Sequence, residues 1–364
     1  MRRLALSLFV VACIVAAGCR SSRPAGGSCD CAAIPAGTAE PCRVELSPDR
    51  PPAGGPIENL VFEGGGVKGT AYAGALRVLG ERGLLEPVRR VGGTSAGSIT
   101  ALLVALGYTP EEVVRIVLAI DYGKFRDGRF LADLRRLFDR YGWYEGDYAE
   151  CLFRCLVERR LGAKDATFAD LHERARTDPA FKDLYVVATN LDVEDWVVFS
   201  HEDERYRDVP LAAAVRASMS IPFYFAAPKI GGDTFVDGGV LNNYPIGLFS
   251  PGGPPTASTL GFFLGSLHKG REITGLEVFT EEVFGSLVAV QVDQVCRSPE
   301  VIRRTVFIDP LGIRTTDFSL TQAQKCALIR SGAAGMESYF RSPPTRCPER
   351  LRKPPGHGAV ATGE

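Results

Sequence analysis

Histidine is scarce in this chain: His172, His201, His268 and His357 are the four in 364 residues. Cysteine pairs exist at Cys29-x-Cys31 and Cys151-x3-Cys155, but no second pair with His stands at zinc-ligand spacing, so no metal site is expected and structural or disulfide roles come first. Neither sign of charge dominates. The 42 Lys and Arg against 43 Asp and Glu give a net −1, which excludes the basic footprint of a nucleic-acid binder. Internal repeats are absent. So is an apolar run of membrane-spanning length: the stretch Leu4–Ala17 falls short of the roughly 20 residues a helix needs to cross. With 45% hydrophobic and 23% charged residues, the composition is that of a globular protein with a sizeable core, not of a disordered, collagenous or coiled-coil chain.

The amino end carries its own pattern. Arg2 and Arg3 precede the short apolar run, and Gly18-Cys19 follows it. That is the layout of a secretory leader. Small residues directly before a cysteine resemble a bacterial lipoprotein signal, with Ala16 where Leu is usual. Residues 1–18 are therefore expected to be removed, Cys19 to be lipidated, and the mature chain to be exported and membrane-anchored at the cell envelope. The Gly-, Pro- and Ser-rich stretch 19–56 reads as a flexible tether, and 343–364 as a flexible tail. Between them, 57–342 is expected to form one compact unit.

Within that unit strand-like and helix-like segments alternate. Strands are expected at Ile57–Phe62, Val88–Gly92, Leu184–Thr189, Trp196–Ser200, Thr234–Val236, Leu260–Leu264 and Thr305–Ile308. Helices are expected at Ala71–Gly83, Ser98–Leu106 and about Leu320–Arg341. The stretch Pro110–Arg174 should be mostly helical, opened by Thr109 before Pro110, broken near Gly142 and Gly162, and restarted by Thr167 with Asp170 three residues on. Alternation of this kind implies an α/β layered domain with a largely parallel sheet flanked by helices. Ligands in such folds sit at the carboxyl ends of the strands.

Two glycine-rich turns follow the first two strands. In Glu63-Gly64-Gly65-Gly66-Val67-Lys68-Gly69-Thr70, consecutive glycines let the backbone approach a bound group, and their N–H groups can hold an anion. A P-loop is excluded, because Lys68 is followed by Gly69. Gly64, Gly66 and Gly69 match a dinucleotide fingerprint in letters, but the acidic residue expected at the end of the second strand is missing. An oxyanion-holding loop and a plain tight turn remain. Lys68 either keeps the loop electropositive or is solvated. The second turn, Gly93-Thr94-Ser95-Ala96-Gly97, lies between an apolar strand and a helix. Its small flanking residues allow the sharp turn that lifts a serine hydroxyl at a strand end, and the helix beneath favours negative charge there. A nucleophile and a donor cradle on adjacent strands are the two parts acyl transfer needs.

Serine needs a base. His172 lies in a polar helix and His357 in the tail, both reading as solvated; His201 follows a strand in an acidic loop, and His268 follows a plausible strand end. None stands in a motif. Asp237-Gly238-Gly239 does, although Asp-Gly is also a common turn pair. A Ser–His–Asp esterase using His268 and a catalytically silent lipid-binding surface lipoprotein are the alternatives to a Ser95–Asp237 pair.

GGGVKG at 64–69, GTSAGS at 93–98, ASMSIPFYF at 217–225 and DGGVLNNYP at 237–245 resemble, in order, the four blocks of the patatin-like phospholipases. VATNLDVEDWVVFS at 187–200 and TTDFSL at 315–320 are also similar, so the resemblance covers about 57–342. It implies a serine-dependent lipid acyl hydrolase of phospholipase A or lysophospholipase type, with no cofactor and no metal. Ser95 and Asp237 would form a dyad without His. The backbone of Gly64, Gly65 and Gly66 would form the oxyanion hole, supported by Lys68, Gly69, Gly93, Gly97, Gly238 and Gly239. The implied partner is a lipid or phospholipid. The apolar stretch 110–174 is a candidate cover for an acyl-chain channel, or simply packing.

Overall fold

The run Asn59–Phe62 (β1) is buried along its whole length, as befits a strand covered on both faces of a parallel sheet. It lies between Arg90–Thr94 (β2) and Thr259–Phe263 (β9), parallel to both. Phe62 stacks on Phe262 with ring centroids 4.8 Å apart. The computed structural model describes residues 31, 42, 55–128, 137, 139–265 and 270–351. The leader, Cys19, Cys29, His268 and His357 lie outside them.

Numbering the strands in chain order adds Gly142–Tyr144 (β3), Asp183–Asn190 (β4), Asp195–Phe199 (β5), Phe223–Phe225 (β6), Lys229–Ile230 (β7), Asp233–Asp237 (β8) and Thr305–Phe307 (β10). The main sheet runs β10-β9-β1-β2-β4-β8-β7, with β5 on β4, and β3 pairs with β6 apart from it. From β10 to β4 the neighbours are parallel, while β5 and β8 are antiparallel to β4.

The helices are Tyr72–Glu81 (α1), Ala96–Ala105 (α2), Pro110–Ala119 (α3), Asp147–Leu161 (α4), Phe168–Thr177 (α5), Leu211–Ser218 (α6), Leu276–Arg297 (α7), Pro299–Arg303 (α8) and Gln322–Arg341 (α9). Local chemistry sets several boundaries. Thr109 and Glu112 cap α3 reciprocally, with Pro110 at the first helical position, and Thr167 and Asp170 do the same for α5. Gly162 ends α4 in the left-handed region at φ 78°.

The described part of 110–174 is mostly helical, and the break expected near Gly142 is a short strand, β3, where Gly142 packs directly against the backbone of Phe225 and Ala226. Two expectations need correction. The tether reading does not hold at Cys31 and Cys42, which are disulfide-bonded to Cys155 and Cys326. Nor does the tail begin at 343: Cys347 is bonded to Cys296, Leu351 is buried, and Arg350 donates to the carbonyls of Gly265 and Ile308. Cys151 is also in a disulfide.

Candidate active site

Strand β2 delivers Ser95 to the carboxyl edge of the sheet, and α2 begins at the next residue. Ser95 is held at φ 53° and ψ −123°, a conformation L-residues rarely adopt and one that concentrates at functional sites. Its neighbours make the turn possible. A Cβ on Gly97 would stand 2.2 Å from the Phe62 carbonyl oxygen, and one on Gly93 would stand 2.6 Å from the Gly97 carbonyl carbon. The Ser95 N–H donates to Ser218 Oγ at 2.8 Å, and that hydroxyl donates to the Val187 carbonyl at 2.6 Å.

The pairing register brings Asp237 to the same place. Thr94, at the end of β2, pairs with Val187 of β4, while Asp237, at the end of β8, pairs with Ala188. Strand β5 occupies the other edge of β4 over these residues. Hence β2 and β8 share one edge, run in opposite directions and meet end to end, with Ser95 and Asp237 at the junction. The Asp237 carboxylate is fully buried. Oδ1 accepts the Gly239 N–H at 2.7 Å, and Oδ2 has no hydrogen-bonded partner among the described residues. Burial pushes the carboxyl up to about 7, while the Gly239 N–H and the Ser95 hydroxyl pull in the opposite direction.

The glycine loop packs against this junction. The Gly64 N–H is already given to the Asn243 carbonyl at 2.9 Å, and Val67 N–H to the Thr315 carbonyl at 3.1 Å. The N–H groups of Gly65 and Gly66 take no acceptor among the described residues. Gly66, at φ 56°, turns the chain where a Cβ would strike the Thr315 carbonyl oxygen at 2.1 Å. Lys68 is not solvated. It is 8% exposed, and burial lowers its pKa against the opposing pull of Glu63.

The sequence motifs assign no role to Glu63 or Asn243. The structure joins them. Glu63 is buried, accepting the Leu264 N–H at 2.5 Å and the Asn243 side-chain amide at 3.1 Å. Burial raises its carboxyl to about 7, with Lys68 working the other way. Gln291, on α7, accepts the Asn243 N–H at 2.7 Å and donates to the Gly239 carbonyl at 2.8 Å. One helix therefore holds both the Asp237 turn and the residue that ties down the glycine loop.

A cavity of about 370 Å³ opens over Ser95. Gly64, Gly65, Lys68 and Asn243 line its floor, and its walls come from α7, including Phe284 and Val288, and from residues 312–316. None of the described residues of 110–174 lines this cavity. His172 and His201 lie elsewhere. Their rings stack at 3.8 Å, and both Nδ1 atoms face Asp183, at 2.8 and 3.7 Å. This is a group of metal-ligating type, and it corrects the solvated reading of His172. Asp183 is level with Arg90 at the amino end of the parallel strands, at the opposite end of β2 from Ser95.

The sequence comparisons agree with this architecture. Residues 60–250 match the patatin-like phospholipase family. The chain is 34% identical over 298 residues to protein YqhO of Bacillus subtilis (strain 168), covering 77% of this chain and 97% of that one. It is 28% identical over 199 residues to the probable lipid hydrolase 463L of Invertebrate iridescent virus 6, covering 52% of this chain and 62% of the relative. Among solved structures, VipD from Legionella pneumophila shares the fold with a TM-score of 0.54 at 18% identity, over 87% of this chain and 73% of that one. The chain belongs to the patatin-like phospholipase family and is a hydrolase of lipid esters.

Proposed function

We propose that Ser95 and Asp237 form the catalytic dyad of a lipid acyl hydrolase of phospholipase A or lysophospholipase type. The observation that carries this reading is the end-to-end meeting of β2 and β8 on one edge of β4. Ser95 Oγ attacks the ester carbonyl as its proton passes to Asp237. The N–H groups of Gly65 and Gly66 hold the oxyanion, with Gly64 shaping the loop because its own N–H is committed to Asn243. The tetrahedral intermediate collapses, and the leaving alcohol takes the proton back from Asp237. Asp237 then takes a proton from a water that attacks the acyl-enzyme, and returns it to Ser95 Oγ as the fatty acid leaves. Lys68, buried beside the loop, adds positive charge where the oxyanion forms.

The test is turnover of a panel of phospholipids, lysophospholipids and neutral acyl esters by the purified protein. Ser95→Ala and Asp237→Asn should each abolish it nearly completely, because the two groups act as one unit. His268→Ala should leave most of it. An active Asp237→Asn beside a dead His268→Ala would replace the dyad with a His-based scheme.

We further propose that the protein is exported and held at a membrane through lipid on Cys19. The disulfides that bind Cys31, Cys42, Cys151, Cys155, Cys296, Cys326 and Cys347 support passage into an oxidising compartment. A mature chain whose Cys19 carries no lipid by mass spectrometry would refute the lipid anchor.

A further inference from the structure

Helix α7 carries an apolar face that nothing in the described structure covers. Leu276, Phe279, Val283, Leu287 and Val290 are each between 42% and 59% exposed. At about 100° per residue they fall within an arc of about 80°. Ile273, just before the helix, is 56% exposed as well. The other side of the same helix, at Phe284 and Val288, lines the cavity over Ser95. Beside α7 packs β6, whose Phe223 is 55% exposed, as is Tyr141 next to its pairing partner Gly142. Both aromatics are held at positive φ, 62° and 61°.

The acidic side chains of the helix are paired. Its four carboxylates each have a cation: Glu277 has Arg126 at 3.9 Å, Glu281 and Glu282 share Arg271, and Asp293 has Arg297. A single apolar stripe, paired charges and no basic cluster suit an uncharged apolar medium better than an acidic partner. The helix is not long and apolar enough to cross a membrane, and contact through its stripe would place it at the surface of a bilayer. Lipid esters reside in bilayers, and the helix that carries the stripe also walls the cavity that must receive them.

We propose that the exposed face of α7, with Phe223 and Tyr141 beside it, is the surface by which the protein docks on a lipid bilayer, bringing the cavity mouth to the acyl chains. This deepens the hydrolase reading and rests on it for the purpose of docking, but not for its detection. Docking driven by apolar contact should persist on zwitterionic vesicles and change little with salt, unlike attraction to anionic lipid.

The test uses the full chain with Cys19→Ser, so that no N-terminal lipid contributes, and phosphatidylcholine vesicles. Partition is read by co-sedimentation, which needs no turnover, so a failure of the Ser95 reading leaves it intact. Adding Phe279→Ser, Leu287→Ser and Val290→Ser should lower the partition coefficient at least tenfold. Hydrolysis of vesicle lipid should fall in parallel, and turnover of a soluble short-chain ester should stay within about twofold. Unchanged partition overturns the proposal. So does a shift from dimer to monomer on sedimentation with partition unchanged, which would make the stripe a contact between two copies. Should the triple variant fail to fold, Val290→Trp reads the same face: its emission should shift to the blue on adding vesicles, and no shift overturns docking.

Discussion

Asn243 grips Gly64 from both sides: its carbonyl accepts the Gly64 N–H at 2.9 Å, and its side-chain amide donates to the Gly64 carbonyl at 3.2 Å. The two residues are 179 positions apart. This grip fixes the glycine loop against the Asp237 block, so it sets where Gly65 and Gly66 point their N–H groups. Asn243→Ala should lower kcat on a soluble ester by about 10- to 100-fold with a smaller change in KM, since misplacement by about 1 Å can cost roughly a hundredfold. Asn243→Asp should do no better, because it puts a second carboxyl beside Glu63. A kcat within twofold of the parent for Asn243→Ala would show that the loop holds its shape without this grip.

The sequence made Ser95 legible because its requirements are local. Gly93 and Gly97 must lack side chains for the turn to close, and both stand within two residues of it. The caps at Thr109 and Thr167 were readable for the same reason. Asn243, Glu63 and Ser218 were not, because their roles depend on partners more than a hundred residues away. Helix α7 was missed for a different cause. It carries six valines, which favour strands, and its apolar residues face both the cavity and the outside, blurring the period that marks a half-buried helix. The disulfides at Cys31, Cys42 and Cys347 likewise pin stretches whose composition reads as loose.

Ser218 supplies a second check on the turn. Its hydroxyl is the acceptor for the Ser95 N–H, and Ser218 is itself fully buried. Removing it orphans a buried N–H, which costs about 1–3 kcal/mol. Ser218→Ala should lower the melting temperature by several degrees and kcat by at least tenfold, whereas Ser218→Thr, which keeps the hydroxyl, should recover part of kcat. Loss of stability with full activity would mean that the strained turn is held by its glycines alone.

The His172–Asp183–His201 group stands at the far end of the strands from Ser95, and none of the three lines the cavity. His172→Ala, His201→Ala and treatment with a strong chelator should each leave turnover of a soluble ester within about twofold. A chelated protein that loses activity and regains it with a divalent cation would contradict the dyad as a self-sufficient device.

Activity should rise with pH through a single step near 7. Asp237 must be ionised to take the Ser95 proton, and burial raises its carboxyl to about 7. Below that pH the base is occupied and kcat/KM falls tenfold per unit; above it the profile is flat. Glu63 is raised to a similar value, so a Glu63→Gln variant separates the two. If the limb belongs to Asp237, it survives in Glu63→Gln at nearly the same midpoint, whatever the loss in rate. A limb that vanishes in that variant would assign the step to Glu63.

The same raised carboxyl gives a stability effect of opposite sense to the catalytic one. Asp237 has an ordinary value of 3.8 and a folded value of about 7, so between those limits the folded state holds a proton that the unfolded chain has lost. Stability therefore falls as pH rises through this window and stays low above it. At pH 8 the folded protein carries an ionised, fully buried carboxylate whose Oδ2 has no hydrogen-bonded partner among the described residues. Asp237→Asn removes that charge. It keeps an oxygen to accept the Gly239 N–H and places an amide group near the Ser95 hydroxyl. The variant should be inactive yet melt several degrees higher than the parent at pH 8, on the order of 2–4 °C for each kcal/mol recovered. The gain should shrink as pH is lowered toward 5, where the parent carboxyl is itself neutral. A melting temperature for Asp237→Asn equal to the parent's at both pH values would mean that Asp237 ionises in the fold without the penalty of burial, and the pH-rate step near 7 would then need another origin.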